Sequence, residues 1–132
     1  MEKGYKVPAD TRIGHVHLKV ADLQRAMDFY CGHLGFELIT MYGTDAAFIS
    51  AGGYHHHIGM NTWHSLNGEG HIQGMSGLEN FTITIPDRTS FDTIESIINR
   101  HASSEQQPKQ MTDKNQFMIF DPDSIQIVFK SE

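Results

Sequence analysis

The chain has 132 residues, 39% apolar and 20% charged, with a formal net charge of −6. That length supports one domain with a sizeable core, and an acidic balance without a basic run argues against nucleic acid and anionic membrane as partners. One cysteine, Cys31, leaves no intrachain disulfide, no apolar run is long enough to cross a membrane, and residues 1–12 form a polar lead-in without a signal peptide's apolar stretch, so a cytoplasmic protein is expected.

Ile13 to Val20 alternates, with Val16, Leu18 and Val20 on one face and His15, His17 and Lys19 on the other, the pattern of a half-buried strand. Asp22 is a candidate N-cap for a helix that carries Leu23, Ala26, Met27, Tyr30 and Leu34 at helical spacing and stops at Gly35. Strands are expected at Phe36 to Tyr42, Ala46 to Ala51 and Tyr54 to Trp63, and residues 64–76 read as a glycine-rich loop. The order then repeats. Glu79 to Ile85 reads as a strand with Phe81, Ile83 and Ile85 opposite Asn80, Thr82 and Thr84. Capping groups at 87–90 precede a helical stripe of Phe91, Ile94, Ile97 and Ile98. A weak strand at Lys109 to Thr112 and better ones at Gln116 to Phe120 and Ile125 to Phe129 follow, the last two separated by the turn Asp121-Pro122-Asp123-Ser124. The chain is thus read as α+β: two βαβββ modules forming a cup-shaped, partly closed β-sheet with helices outside. Module one spans about 11–63, the loop 64–76 and module two about 77–130 of a single domain.

Two histidine pairs stand out among nine histidines: His15 and His17 around Val16, and His55 and His57 around His56. Alternate residues of a strand share a face and lie about 6.5–7 Å apart, and adjacent strands about 4.8 Å. If the two segments are neighbours, three of these imidazoles can meet one ion at about 2.0–2.1 Å. Parity puts Gly59, Asn61 and Trp63 on the face of His57, an apolar wall with a hydrogen-bonding group that suits a small molecule. His56 is expected on the opposite face. His33, His64, His71 and His101 are read as solvated. Trp63 can equally be a packing aromatic, and His17 and His55 can simply bond each other, Thr82 or the backbone.

The strings GHVHLKVADLQRAMDFYCGHLGFEL, YHHHIGMNTWH, LENFTITIP and FDPDSIQIV resemble the vicinal oxygen chelate superfamily, which includes glyoxalase I, fosfomycin and bleomycin resistance proteins and extradiol dioxygenases. The likeness covers most of residues 11–130 and is greatest to short catechol 2,3-dioxygenase-like members. It implies paired βαβββ modules around a cup-shaped site, often in a homodimer, and a divalent metal such as Zn, Fe, Mn or Ni. By that likeness His15 takes the first metal-ligand position and His57 the second. Asn80 and Val128 stand where the family places a histidine and a glutamate, so the usual extradiol and glyoxalase ligand sets are incomplete.

Two functions follow as expectations. One is a divalent-metal glyoxalase- or dioxygenase-like enzyme with an altered metal site centred on His15 and His57, assisted by His17 and His55. The other is a metal-free protein that binds or sequesters an apolar or aromatic small molecule. In both, Asn61, Trp63, Asn80, Gly59, Thr82 and Val128 are candidate substrate-binding residues, and no catalytic base stands out. No nucleotide-binding loop is present.

Overall fold

The computed structural model describes residues 4–102 and 107–132, so the first three residues of the polar lead-in lie outside the described residues. Module one runs β1 (Val16–Lys19), α1 (Leu23–Met27) continuing as a π-helical stretch (Asp28–His33), β2 (Glu37–Tyr42), β3 (Ala46–Ser50) and β4 (Ile58–Asn61). Module two runs β5 (Asn80–Ile85), α2 (Arg88–His101), β6 (Lys109–Gln110), β7 (Gln116–Phe120) and β8 (Gln126–Ser131). The expected α+β architecture of two βαβββ modules is the one observed.

Local chemistry sets the helix ends. The Asp22 carboxylate accepts the Arg25 N–H at 3.0 Å, and Asp87 accepts the Ser90 N–H at 2.7 Å, each satisfying a donor that a helix start leaves unpaired. Gly35, at φ +89°, turns the chain out of the first helix through a conformation that side chains disfavour.

Each module forms one four-stranded sheet, in the orders β1-β4-β3-β2 and β5-β8-β7-β6. The pairs β1/β4 and β5/β8 are parallel, and the remaining pairs are antiparallel. The sheets do not join into a barrel: β1 and β5 are both edge strands. Register gives each sheet two distinct faces. In module one, Leu18, Ile58, Met60, Ala47 and Ile49 are buried, whereas His17, Phe48 and Gly59 align across the other face. In module two, Phe117, Ile119, Ile127 and Phe129 are buried, and Thr82, Met118 and Val128 align opposite. Phe117 has its ring centroid 5.0 Å from both Phe91 and Phe129, so truncating it to alanine is expected to cost about 3–5 kcal/mol.

The turn Asp121-Pro122-Asp123-Ser124 docks module two onto the first helix. Asp123 Oδ1 accepts the Ala21 N–H at 2.9 Å and pairs with Arg25 at 3.0 Å, while Tyr30 donates its hydroxyl to Asp121 Oδ2 at 2.6 Å. The loop adds to this clasp: the Asn67 N–H donates to the Ala21 carbonyl at 2.8 Å and the His71 N–H to the Asp123 carbonyl at 2.7 Å. Burial raises the Asp121 pKa to about 6, outweighing the hydrogen bonds it accepts. Burial, and then the neighbouring Asp121 charge, raise the Tyr30 pKa well above its ordinary value. The buried apolar residues of both modules form one continuous cluster.

One strand departs from expectation. The fourth was expected over Tyr54 to Trp63 but spans only Ile58–Asn61. Turns and bends after Ser50 carry the chain through Gly52, which has a φ of +71°, to His57, so the second histidine pair precedes the extended segment. Strand alternation therefore does not determine where His55, His56 and His57 point.

Candidate functional site at the seam between the modules

The facing edges of β1 and β5 border a cleft of about 610 Å³. Ile13, Val16, Leu34 and Phe36 line it from module one; Phe81, Ile83, Ile94 and Phe129 line it from module two. Polar groups are few: His15 and His57 on one side, Thr82 and Thr84 on the other. Its size and largely apolar lining, with sparse polar groups, match a small-molecule site.

His15 and His57 thus share the cleft with Thr82, whereas the other candidates lie elsewhere. His17, Gly59 and Asn61 occupy the open face of the first sheet, and the His17 and Trp63 ring centroids are 6.3 Å apart. Asn80 and Val128 sit on the corresponding face of the second sheet. His55 packs its ring 4.1 Å from Tyr54, whose hydroxyl donates to the Gly14 carbonyl at 2.9 Å. His56 does not point away from this group as expected. Its ring lies 4.3 Å from His15 and 5.0 Å from Phe48, because the segment bends before β4 begins. His33 and His101 are not simply solvated but stack on each other.

The hydrogen bonds of these histidines determine which ring nitrogens carry free lone pairs. Asn61 Oδ1 accepts the Trp63 N–H at 3.1 Å, so its amide nitrogen faces His17 Nε2, at 2.6 Å, and donates to it. His17 then carries its proton on Nδ1. A Cβ at Gly59 would stand 2.7 Å from that Nδ1, so only glycine leaves room for the ring. Burial, and then the neighbouring His15, hold the His17 pKa below its ordinary value. His57 Nδ1 accepts the Ala51 N–H at 3.1 Å and lies 3.2 Å from Ser50 Oγ, which leaves the proton of the neutral ring on Nε2. His55 and His56 face each other through Nδ1 atoms 3.0 Å apart and share one proton there. The acceptor of that pair must protonate its own Nε2. Desolvation, followed by the surrounding histidines, lowers the His56 pKa.

This donor set does not fit a resident divalent ion. His17 and His57 have no lone pair to offer as they stand, and one ring of the His55–His56 pair has none. Only His15 and the remaining ring of that pair are left. Among the described residues, no group of three or more His, Cys, Asp or Glu side chains is placed to hold a metal ion.

The residues that spacing did not single out are the apolar walls. Ile13, Phe36, Ile94 and Phe129 belong to a lead-in, a strand approach, a helix and the last strand, and they converge only when the modules dock. Phe81 and Ile83 were legible as apolar strand residues, but not as cleft wall.

The chain belongs to the Glyoxalase/Bleomycin resistance protein/Dioxygenase superfamily, whose family profile matches residues 12–129. It is 38% identical over 122 residues to a catechol-2,3-dioxygenase of Bacillus subtilis (strain 168), covering 92% of this chain but only 41% of that protein. The chain therefore spans about two-fifths of that relative's length. Among solved structures, it is similar to a glyoxylase/bleomycin resistance protein/dioxygenase domain from Frankia sp. EAN1pec, with a TM-score of 0.72, 17% identity and coverage of 92% of this chain and 97% of the other. It is also similar to TnmS3, an antibiotic binding protein from Streptomyces sp. CB03234, with a TM-score of 0.64, 18% identity and coverage of 94% and 98%. These two likenesses concern the fold.

Proposed function

We propose that the chain is a metal-independent binding module for an apolar or aromatic small molecule, held in the seam cleft. The carrying observation is the cleft of about 610 Å³, with apolar walls from both modules and His15, His57, Thr82 and Thr84 as its sparse polar groups. His57 presents an Nε2–H donor when neutral, suited to a ligand carbonyl or phenol oxygen. The antibiotic-binding neighbour makes this kind of role a precedent within the fold. On this reading Asn61, Trp63 and Gly59 shape the adjoining open face around His17, and Asn80 and Val128 are wall positions of the second sheet. We take residues 1–132 as one functional domain acting in the cytoplasm, as a homodimer whose mass sedimentation equilibrium measures.

The test is thermal denaturation of tag-free, EDTA-treated protein with a panel of catechols, naphthols and alicyclic controls. Molecules that bind the folded state raise the midpoint. Aromatic members are expected to do so in EDTA, and a flat response across the panel would contradict the reading. A second reading is a divalent-metal enzyme acting through His15 and His57, with His17 and His55 assisting, and the identity with a catechol-2,3-dioxygenase favours it. It requires the His57 and His17 rings to leave their present partners. It predicts midpoint shifts by Fe²⁺, Mn²⁺, Zn²⁺ or Ni²⁺ that His15→Ala removes.

A further inference from the structure

We propose, resting on the metal-independent reading of the seam cleft, that it selects planar molecules with an N–H donor and a C=O acceptor side by side on one edge, as in a cyclic amide, and that the free backbone edge of β5 at Thr82 and Thr84 reads that pair. Ile85 fixes the direction in which the backbone groups of β5 point. Its carbonyl accepts the Glu132 N–H at 2.9 Å, and Glu132 directly follows β8, so Ile85 faces β8. The N–H and C=O of a strand residue point to one side, and that side alternates along the chain. Phe81 and Ile83 therefore also face β8, whereas Thr82 and Thr84 turn both their N–H and their C=O to the free edge. Among the described residues, β5 pairs with β8 alone, and no loop backbone bonds to Thr82 or Thr84.

That edge runs along the cleft. Residues 81–86 line it without a gap, and consecutive residues of both parities meet one cavity only along a strand's edge. The edge presents donor, acceptor, donor and acceptor in turn: Thr82 N–H, Thr82 C=O, Thr84 N–H and Thr84 C=O. A purely apolar ligand lying against it strips water from these groups and leaves them unpaired, a cost that a ligand with matching groups avoids. An open-chain secondary amide is trans and aims its N–H and C=O in opposite directions, so it meets one member of the series. A cyclic amide aims both from the same edge and meets two neighbours at once. The opposite wall offers less backbone. The Gly14 carbonyl already accepts the Tyr54 hydroxyl at 2.9 Å, and the Val16 N–H turns to the His57 carbonyl at 3.0 Å. Module one instead contributes the side chains of Ile13, Leu34 and Phe36, against which the face of a planar ring can rest.

Calorimetric titration of EDTA-treated protein with quinolin-2(1H)-one, its N-methyl derivative and coumarin tests the selection, because the three share a fused bicyclic frame and only the first carries the N–H. Quinolin-2(1H)-one is expected to bind about five- to tenfold more tightly than the other two. Thr84→Pro deletes a backbone N–H that faces away from β8, where an edge strand tolerates proline, and is expected to weaken quinolin-2(1H)-one about fivefold. Thr84→Val keeps the N–H and loses the hydroxyl, and is expected to stay within about twofold of wild type. Equal binding of the three molecules by wild type would overturn the selection while leaving the cleft a small-molecule site, and binding of none would overturn both. Unchanged affinity in a folded Thr84→Pro variant, or an equal loss in Thr84→Val, would overturn the role of the backbone edge. Should Thr84→Pro fail to fold, the three-ligand comparison on wild type still decides.

Discussion

Burial, and then the neighbouring His15, favour the neutral imidazole of His17, whose Nε2 stands 2.6 Å from Asn61 Nδ2. Replacing Asn61 with aspartate would exchange the donor for a charged acceptor and reward the protonated ring instead. Asn61→Asp is expected to carry the His17 pKa above its ordinary value, as read by NMR titration of the ring; an unmoved titration would mean that the amide does not orient it. Ser124 presents a backbone example at the same scale. It sits at φ +61°, a left-handed conformation that favours glycine, in the turn Asp121-Pro122-Asp123-Ser124. Left-handed backbone costs a side-chain-bearing residue roughly 1–2 kcal/mol, part of which a glycine returns through its floppier unfolded chain. Ser124→Gly is therefore expected to stabilise the fold by up to about 1 kcal/mol in urea denaturation.

The Asp121 turn and the first helix carry the pH dependence of the fold. With a folded pKa of about 6, against an ordinary 3.8, Asp121 favours the folded state most when protonated. Its contribution is fully present below about pH 3.8 and is lost as the pH rises through about 6, at most about 3 kcal/mol. Relative to wild type, Asp121→Asn should thus gain stability on moving from about pH 4 to about pH 7.5, and equal changes in the two proteins would refute the assignment. Much of this element level was legible in sequence. Asp22 and the 87–90 capping cluster announced their helices, and alternation in Ile13 to Val20 and Glu79 to Ile85 located β1 and β5. Alternation failed at Tyr54 to Trp63 because period-2 reasoning holds only where backbone is extended, and the chain is still turning at His55 and His56. The Asp121-Pro122-Asp123-Ser124 turn was visible as a turn, but its hold on Ala21, Arg25 and Tyr30 joins residues about a hundred positions apart, which no local pattern encodes.

At the scale of the whole molecule, two sheets with facing free edges share one core yet leave a cleft between β1 and β5. The docking clasp joins the modules without lining the walls of that cleft. Asp123→Ala would leave the Ala21 N–H without its acceptor and Arg25 without its partner, and is expected to cost about 1–3 kcal/mol in chemical denaturation. The same variant should weaken ligand binding at the seam, although Asp123 is not among the residues lining it.

The most direct measurement is calorimetric titration of EDTA-treated protein with an aromatic ligand, comparing wild type with Ile83→Trp, a substitution that fills the cleft from the β5 side. Metal-free binding by wild type, abolished or severely weakened in a folded Ile83→Trp variant, is the predicted result. Binding that appears only after a divalent ion is restored, or that Ile83→Trp leaves untouched, would contradict a metal-independent site at the seam.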